Sequence, residues 1–138
     1  MDGIILTEEK KISNIRGDIF HFIKKNDIGY SGFGECYFSF IHFNEVKGWK
    51  KHNEMILNIV VPIGKIKFVI YNPISNDFFE VTLSKNNYKR LTVMPGLWMA
   101  FKGIEKINLL SNFASVKHDS HESENLDLNQ IKYNWKKD

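Results

Sequence analysis

Three side chains in the stretch KGWKKHNEMILNIVVPIG, residues 47–64, have the types and spacing for acid–base chemistry. In an unbroken strand, counting alternate residues back from Val60 puts Asn58, Ile56, Glu54, His52 and Lys50 on one face. An imidazole, with an unperturbed pKa of ~6.5, is a ready base near neutrality. A desolvated lysine beside it either has a lowered pKa or keeps its charge and stabilises an enolate oxygen. An amide such as Asn58 inside an apolar strand needs a partner, ligand or backbone. Such groups sharing a face with buried aliphatics describe a strand that lines a pocket. A second strand signal, ECYFSFIHF at residues 35–43, offers two faces. Cys36, Phe38, Phe40 and His42 read as core; Tyr37, Ser39, Ile41 and Phe43 carry a phenol and a hydroxyl that could face a ligand cavity.

The rest of the chain must position these groups, and it reads as about ten short strands with closely spaced turn signals. An edge strand is expected at 4–6, further strands at 12–16 and 18–24, and then the glycine-rich loop DIGYSGFGE. KIKFVIY at 65–71 and the returning strand at 78–83 flank the turn sequence NPISND. SKNNYKR opens with a cap-like Ser84 and suggests a turn or one helical turn before 91–93. Met94-Pro95-Gly96 is a tight turn leading to strands at 97–102 and 104–114. No helical period interrupts the middle of the chain. This predicts an all-β sandwich or barrel, and a jelly roll with a ligand in the barrel mouth suits the pocket-facing strand best. From Lys117 the sequence turns polar and acidic, so residues 118–138 are expected to form a surface extension pinned by Tyr133 and Trp135.

A chain of 138 residues predicts one domain, residues 1–138. Hydrophobic content of 43% and aromatic content of 14% fit a compact globular protein. The net charge of +3 is spread over scattered lysines, which gives no support to a nucleic-acid or membrane partner. A single cysteine, Cys36, excludes an internal disulfide framework, fits a reducing compartment, and reads as a small buried core residue. The N-terminus lacks a secretory pattern, and no segment approaches ~18 consecutive apolar residues, so a cytoplasmic protein is expected. No serine or cysteine has the base-plus-orienter pattern of a nucleophile.

Three segments carry a family resemblance: GECYFSFIHFNEVKGWKKHNEMILNIVVPIGKIKFVIYN, LSKNNYKRLTVMPGLWMAFKGI, and LLSNFASVKHD with the closing IKYNW. Together they resemble the dTDP-4-dehydrorhamnose 3,5-epimerase family, especially its short cupin-type members, over residues 17–135. The resemblance implies a double-stranded β-helix, or cupin jelly roll. The chemistry it implies is proton abstraction next to the keto group of a nucleotide-linked deoxysugar, by a histidine base with a tyrosine delivering a proton on the opposite face. This chain departs from that pattern at four positions. Lys50 stands at the base position, Ser111 at the tyrosine, Asn72 at an acidic residue, and Met99 at a second histidine.

The related sugar 3,4-ketoisomerases use two histidines one residue apart in a similar turn. This chain keeps the second as His52, and Tyr37 lies on a strand that resembles theirs. The resemblance points to His52 as base, its spacing from Lys50 suggests Lys50 as enolate stabiliser, and Tyr37 is a candidate proton donor. Substrate contacts would come from Lys47 to phosphate, Asn58, and Trp98 stacking on a base or sugar. Each has a plainer alternative: His52 as a rim histidine on a loop carbonyl, Lys47 and Lys50 as solvated lysines, Tyr37 as a phenol with a structural partner, Trp98 as core. Metal-binding cupins need ligands that Lys50 and Met99 replace, and His118 and His121 stand in a polar tail without further ligands. No metal and no cofactor is expected. The implied function is a C3/C5 epimerase of surface-polysaccharide biosynthesis acting on a dTDP- or other nucleotide-linked 4-keto-deoxysugar. The alternatives are a 3,4-ketoisomerase or a catalytically silent cupin that binds a nucleotide sugar. A homodimer is implied, with residues 4–6 a candidate for strand exchange.

Overall fold

The computed structural model describes residues 1–136. Among them the chain forms β1 (Ile4–Glu8), β2 (Lys11–Ile12), β3 (Ile19–Phe20), β4 (Glu35–His42), β5 (Val46–His52) and β6 (Leu57–Ile63). These are followed by β7 (Lys65–Asn72), β8 (Asp77–Ser84), β9 (Lys89–Val93), β10 (Trp98–Gly103), β11 (Ile107–Ala114) and β12 (Ser123–Asn125). One five-stranded antiparallel sheet has the order β1-β9-β6-β11-β4 and a second the order β12-β5-β10-β7-β8. β2 and β3 make a separate small ribbon. The architecture is the all-β cupin jelly roll. No helix among the described residues is long and apolar enough to cross a membrane.

The period-2 alternation of β-strands explains the core. Ile41 from β4, Leu57, Ile59 and Val61 from β6, Leu91 and Val93 from β9, and Leu110 and Ala114 from β11 point inward from the first sheet. Ile66, Phe68, Ile70 and Leu83 meet them from the second. A second cluster, Trp49, Val69, Trp98, Ala100 and Ile131, lies on the outer side of the second sheet, where Leu126, Tyr133 and Trp135 pack on it. The C-terminal extension is thus pinned by Tyr133 and Trp135, as its aromatics suggest. It is more than a surface tail, because β12 pairs with β5 and extends the sheet.

Several local expectations change. The stretch 47–64 is two strands in different sheets, joined by a corner at residues 53–56. Crossing that corner resets the alternation. Leu57, Ile59 and Val61 take the inner face, and Asn58 and Val60 face away from it. On β4 the expected core face is the outer one: Cys36 is exposed, Phe38 is 68% and Phe40 58% exposed, and Ile41 is buried. β4 is an edge strand with apolar residues on both faces, so hydrophobicity alone does not identify its inner side. The strands expected at 12–16 and 18–24 shrink to a two-residue ribbon. Asn14 accepts from the Arg16 amide and Asp18 from the Asn14 amide, closing a turn between them. Beyond the ribbon, Phe22, Tyr30 and Phe33 pack on Phe113 and cover one end of the outer face of the first sheet. Ser84 closes a turn with Asn87 and starts no helix. Ile4–Glu8 pairs with β9 of its own chain.

Candidate functional site

Between the two sheets lies a cavity of about 280 Å³, toward the lower end of ligand-pocket sizes. Its apolar wall comes from Met55, Leu57, Val93, Leu97, Met99 and Phe101; its polar groups are Tyr37, Lys47, Lys50, His52 and Asn125. Four of the residues singled out in the sequence therefore meet in one place.

A bulge in β5 brings the two lysines together. Met99 of β10 pairs with Lys50 and Phe101 with Lys47, so three steps along β5 oppose two along β10. Residues three apart in a regular strand face opposite ways; the extra residue turns both Lys47 and Lys50 toward the cavity. Trp49, between them, goes to the outer cluster. Gly48 makes this possible: its φ is +150°, and a Cβ there would lie 2.3 Å from Ala100 Cβ. Lys47 Nζ donates to Phe40 O at 2.6 Å and to Ser39 Oγ at 3.4 Å, tying the cavity mouth to β4.

His52 has a partner that the sequence does not advertise. Its Nδ1 bonds Glu122 Oε1, and the other oxygen of Glu122 accepts from the amides of Glu54 and Met55, each at 3.2 Å. Asp119 caps the short 3₁₀ turn Ser120–Glu122 by accepting from the His121 amide, and that turn points Glu122 inward. Burial pushes the Glu122 carboxyl up, but the bonds from His52, Glu54 and Met55 outweigh it, and the pKa lies below the ordinary 4.5. A carboxylate on Nδ1 selects the tautomer with its hydrogen there, leaving the Nε2 lone pair as the base. Register then places Asn125 opposite Lys50, which accounts for its amide in the cavity.

Tyr37 enters from β4, opposite Asn112 of β11. Asn112 Nδ2 donates to Tyr37 Oη at 3.0 Å. Burial raises the phenol above its ordinary 10.0; the Asn112 bond pulls it back and the Glu35 charge adds to the rise. A phenol so placed carries its proton at neutral pH.

Two expected substrate contacts lie elsewhere. Asn58 is buried on the far face of β6, where its Oδ1 accepts from Arg90 and Thr92 and its Nδ2 donates to Gly29 O. Arg90 is fully buried and pairs with Glu9 at 2.8 Å. This amide holds a structural network, in line with the backbone-partner alternative. Trp98 belongs to the outer cluster, with the Lys51 ammonium 5.2 Å above its ring. Ser111 is also on an outer face, with its Oγ 3.9 Å from Cys36 Sγ. His121 is exposed beside Asp119, and no group of three His, Cys, Asp or Glu among the described residues gathers as a metal site. Sequence reasoning missed Glu122, Asn125 and Asn112. The first two sit in a polar run with no strand signal, and Asn112 resembles any polar residue in an apolar strand.

No family model matches the chain, and neither does any curated protein. Solved structures do. A dTDP sugar isomerase from Desulfovibrio desulfuricans G20 shares 31% identity over 99% of this chain and 93% of its own, with a TM-score of 0.92. The chain belongs to the cupin-fold dTDP-sugar epimerase and isomerase family. More distant structures share the fold. The dTDP-4-dehydrorhamnose 3,5-epimerase from Sulfolobus tokodaii has 21% identity and a TM-score of 0.84, over 96% of this chain and 82% of its own. A sugar 3,4-ketoisomerase from Thermoanaerobacterium thermosaccharolyticum, in complex with TDP, has 17% identity and a TM-score of 0.80, over 95% and 93%.

Proposed function

We propose that this protein acts on a dTDP- or other nucleotide-linked 4-keto-deoxysugar in surface-polysaccharide biosynthesis, removing the proton next to the keto group and returning one as a C3/C5 epimerase. The observation that carries this reading is the His52–Glu122 pair at a cavity also lined by Lys50 and Tyr37. His52 Nε2 takes the α-proton, and Glu122 stabilises the imidazolium that forms. The Lys50 ammonium stabilises the enolate oxygen. Tyr37 gives a proton back to carbon, and exchange with solvent resets both groups. The cavity suits one sugar ring, so the nucleotide would lie across the mouth, with Lys47 near its phosphates.

One observation favours a 3,4-ketoisomerase as the second reading. The phenol of the cavity comes from β4, and Ser111, at the tyrosine position of the epimerase resemblance, faces outward. Incubation with dTDP-4-keto-6-deoxyglucose in D₂O, followed by proton NMR, separates the readings. Deuterium at C3 or C5 with the ketone still at C4 is expected for an epimerase. A ketone moved to C3 indicates the ketoisomerase. Binding without exchange for wild type, or full exchange in His52→Ala, would sink the catalytic reading.

We also propose a homodimer, as the family resemblance implies, and place its interface on the outer face of β4 instead of an exchange of residues 4–6. Its support is an edge strand carrying exposed Phe38 and Phe40, next to Ile107, which is 61% exposed.

A further inference from the structure

Asn112 is fully buried, does not line the cavity itself, and hydrogen-bonds Tyr37, which does. Its two ends are not interchangeable. The backbone N–H of Asn58 points at one end from 3.1 Å. A backbone N–H can only donate, so the atom facing it must be Oδ1. That fixes Nδ2 at the other end, against Tyr37 Oη. The phenol oxygen is therefore an acceptor on its protein side, and among the described residues no acceptor takes its own hydrogen. Tyr37 is 40% exposed and lines the cavity, so that hydrogen is free to turn into the cavity toward a bound ligand.

We infer that Asn112 is a positioning residue that sets the polarity of Tyr37, making it a hydrogen-bond and proton donor toward the bound sugar. The inference rests on the proposed catalytic reading and adds a residue to it. In the step itself the Tyr37 O–H bond breaks, its proton forms a C–H bond at the enolate carbon, and the electron pair stays on Oη. The phenolate so formed already faces the Asn112 N–H, which needs no reorientation to stabilise it. His52, meanwhile, holds the proton removed from the sugar, so the exchange balances. Asn58 thus serves the site at one remove, through its backbone. Its side chain secures the Arg90 network that keeps β6 in place.

Asn112→Asp is the discriminating substitution. A carboxylate there still accepts from the Asn58 amide, but its second oxygen presents an acceptor to Tyr37. The phenol hydrogen then turns away from the cavity, and the negative charge opposes ionisation. Tyrosine titration by ¹³Cζ NMR, with the Tyr37 signal assigned by its loss in Tyr37→Phe, needs no turnover and so stands apart from the activity reading. Tyr37 is expected to titrate higher in Asn112→Asp than in wild type, by a unit or more (roughly 1.4 kcal/mol per unit). Where exchange into the sugar is measurable, Asn112→Asp is expected to slow it by about 100-fold or more, the scale of a lost general acid. Its basic limb in the pH–rate profile should move up with the phenol. In the Tyr37→Phe background the same substitution should slow exchange no further. Asn112→Ser, which loses the N–H without adding charge, provides the second variant if Asn112→Asp does not fold. It too should raise the Tyr37 titration, by less. An unchanged Tyr37 titration in whichever variant folds, or additive losses in the double variant, would overturn the inference. If wild type shows no exchange with any keto sugar but the titration shifts as stated, the polarity assignment stands and the catalytic reading falls.

Discussion

Glu122 accepts a hydrogen bond from Nδ1 of His52 across 70 residues of chain. The carboxylate sits where β12 joins the edge of the second sheet, so docking of the C-terminal segment and orientation of the imidazole are one event. Both oxygens of Glu122 are used, one on the ring and one on the amides that turn the corner from β5 to β6. The same side chain therefore connects the imidazole to the framework that carries it.

Replacing Glu122 should separate these two roles. Glu122→Gln keeps an acceptor for the corner amides and removes the charge that stabilises an imidazolium. It should lower exchange into the keto sugar roughly 10- to 100-fold, with a smaller loss of stability than Glu122→Ala. Glu122→Ala leaves two amide donors without their acceptor and should cost about 1–3 kcal/mol in urea unfolding. Equal activity in wild type and Glu122→Gln would deny the carboxylate a part in the chemistry.

The pH dependence of stability follows from the same group. The folded pKa of Glu122 is depressed below its ordinary 4.5, so the unfolded chain binds this proton more tightly. The stabilisation is present above the ordinary carboxylate range and is lost as pH falls through the folded value. The stability difference between wild type and Glu122→Gln should be largest above the ordinary carboxylate range and shrink as pH falls through the folded value. Denaturant midpoints across that range measure it, and a difference that grows on acidification would contradict the assignment.

Asn58→Ala tests the reassignment of that residue from ligand contact to structure. It strips the acceptor from Arg90 Nη1 and Thr92 Oγ1, both buried, at 2.6 Å each. A loss of about 2–3 kcal/mol is expected, since a charged group loses a buried partner. Titration calorimetry with dTDP should show unchanged affinity for the folded variant; a tenfold weaker affinity without loss of stability would return Asn58 to the ligand.

Phe38→Lys addresses assembly. The side chain is 68% exposed on the outer face of β4 and meets nothing in the cavity, so the monomer fold should survive. Light scattering should find a dimer for wild type and a monomer for the variant. A monomeric wild type at micromolar concentration would remove the proposed interface.

Much of the fold was legible along the chain because strands announce themselves locally. KIKFVIY, FEVTL and LWMAFK sit between turn residues, and β7, β8 and β10 fall on them to within a residue or two. The pocket was legible too, through Lys50 and His52 two residues apart and Tyr37 on the aromatic strand. Asn58 was misassigned for one physical reason: side-chain alternation persists only within an unbroken strand. The corner at 53–56 and the bulge at Gly48–Trp49 each reset it. Cys36, Phe38 and Phe40 were misassigned because an apolar face shows that a strand can be covered without showing which side is covered.

What the sequence determined by itself was most of the long strands, the family likeness and the residue types that a proton-transfer site requires. Which of those residues share a cavity was decided by sheet pairing and by the corner between sheets. The partner of His52 was likewise set by tertiary structure: it acquires Glu122 only when residues 119–125 add a strand beside β5. A hydrogen bond depends on the final distance and direction between two groups, and chain separation encodes neither. The polarity of Tyr37 rests on the same ground, since a backbone N–H on β6 orients the Asn112 amide that meets it.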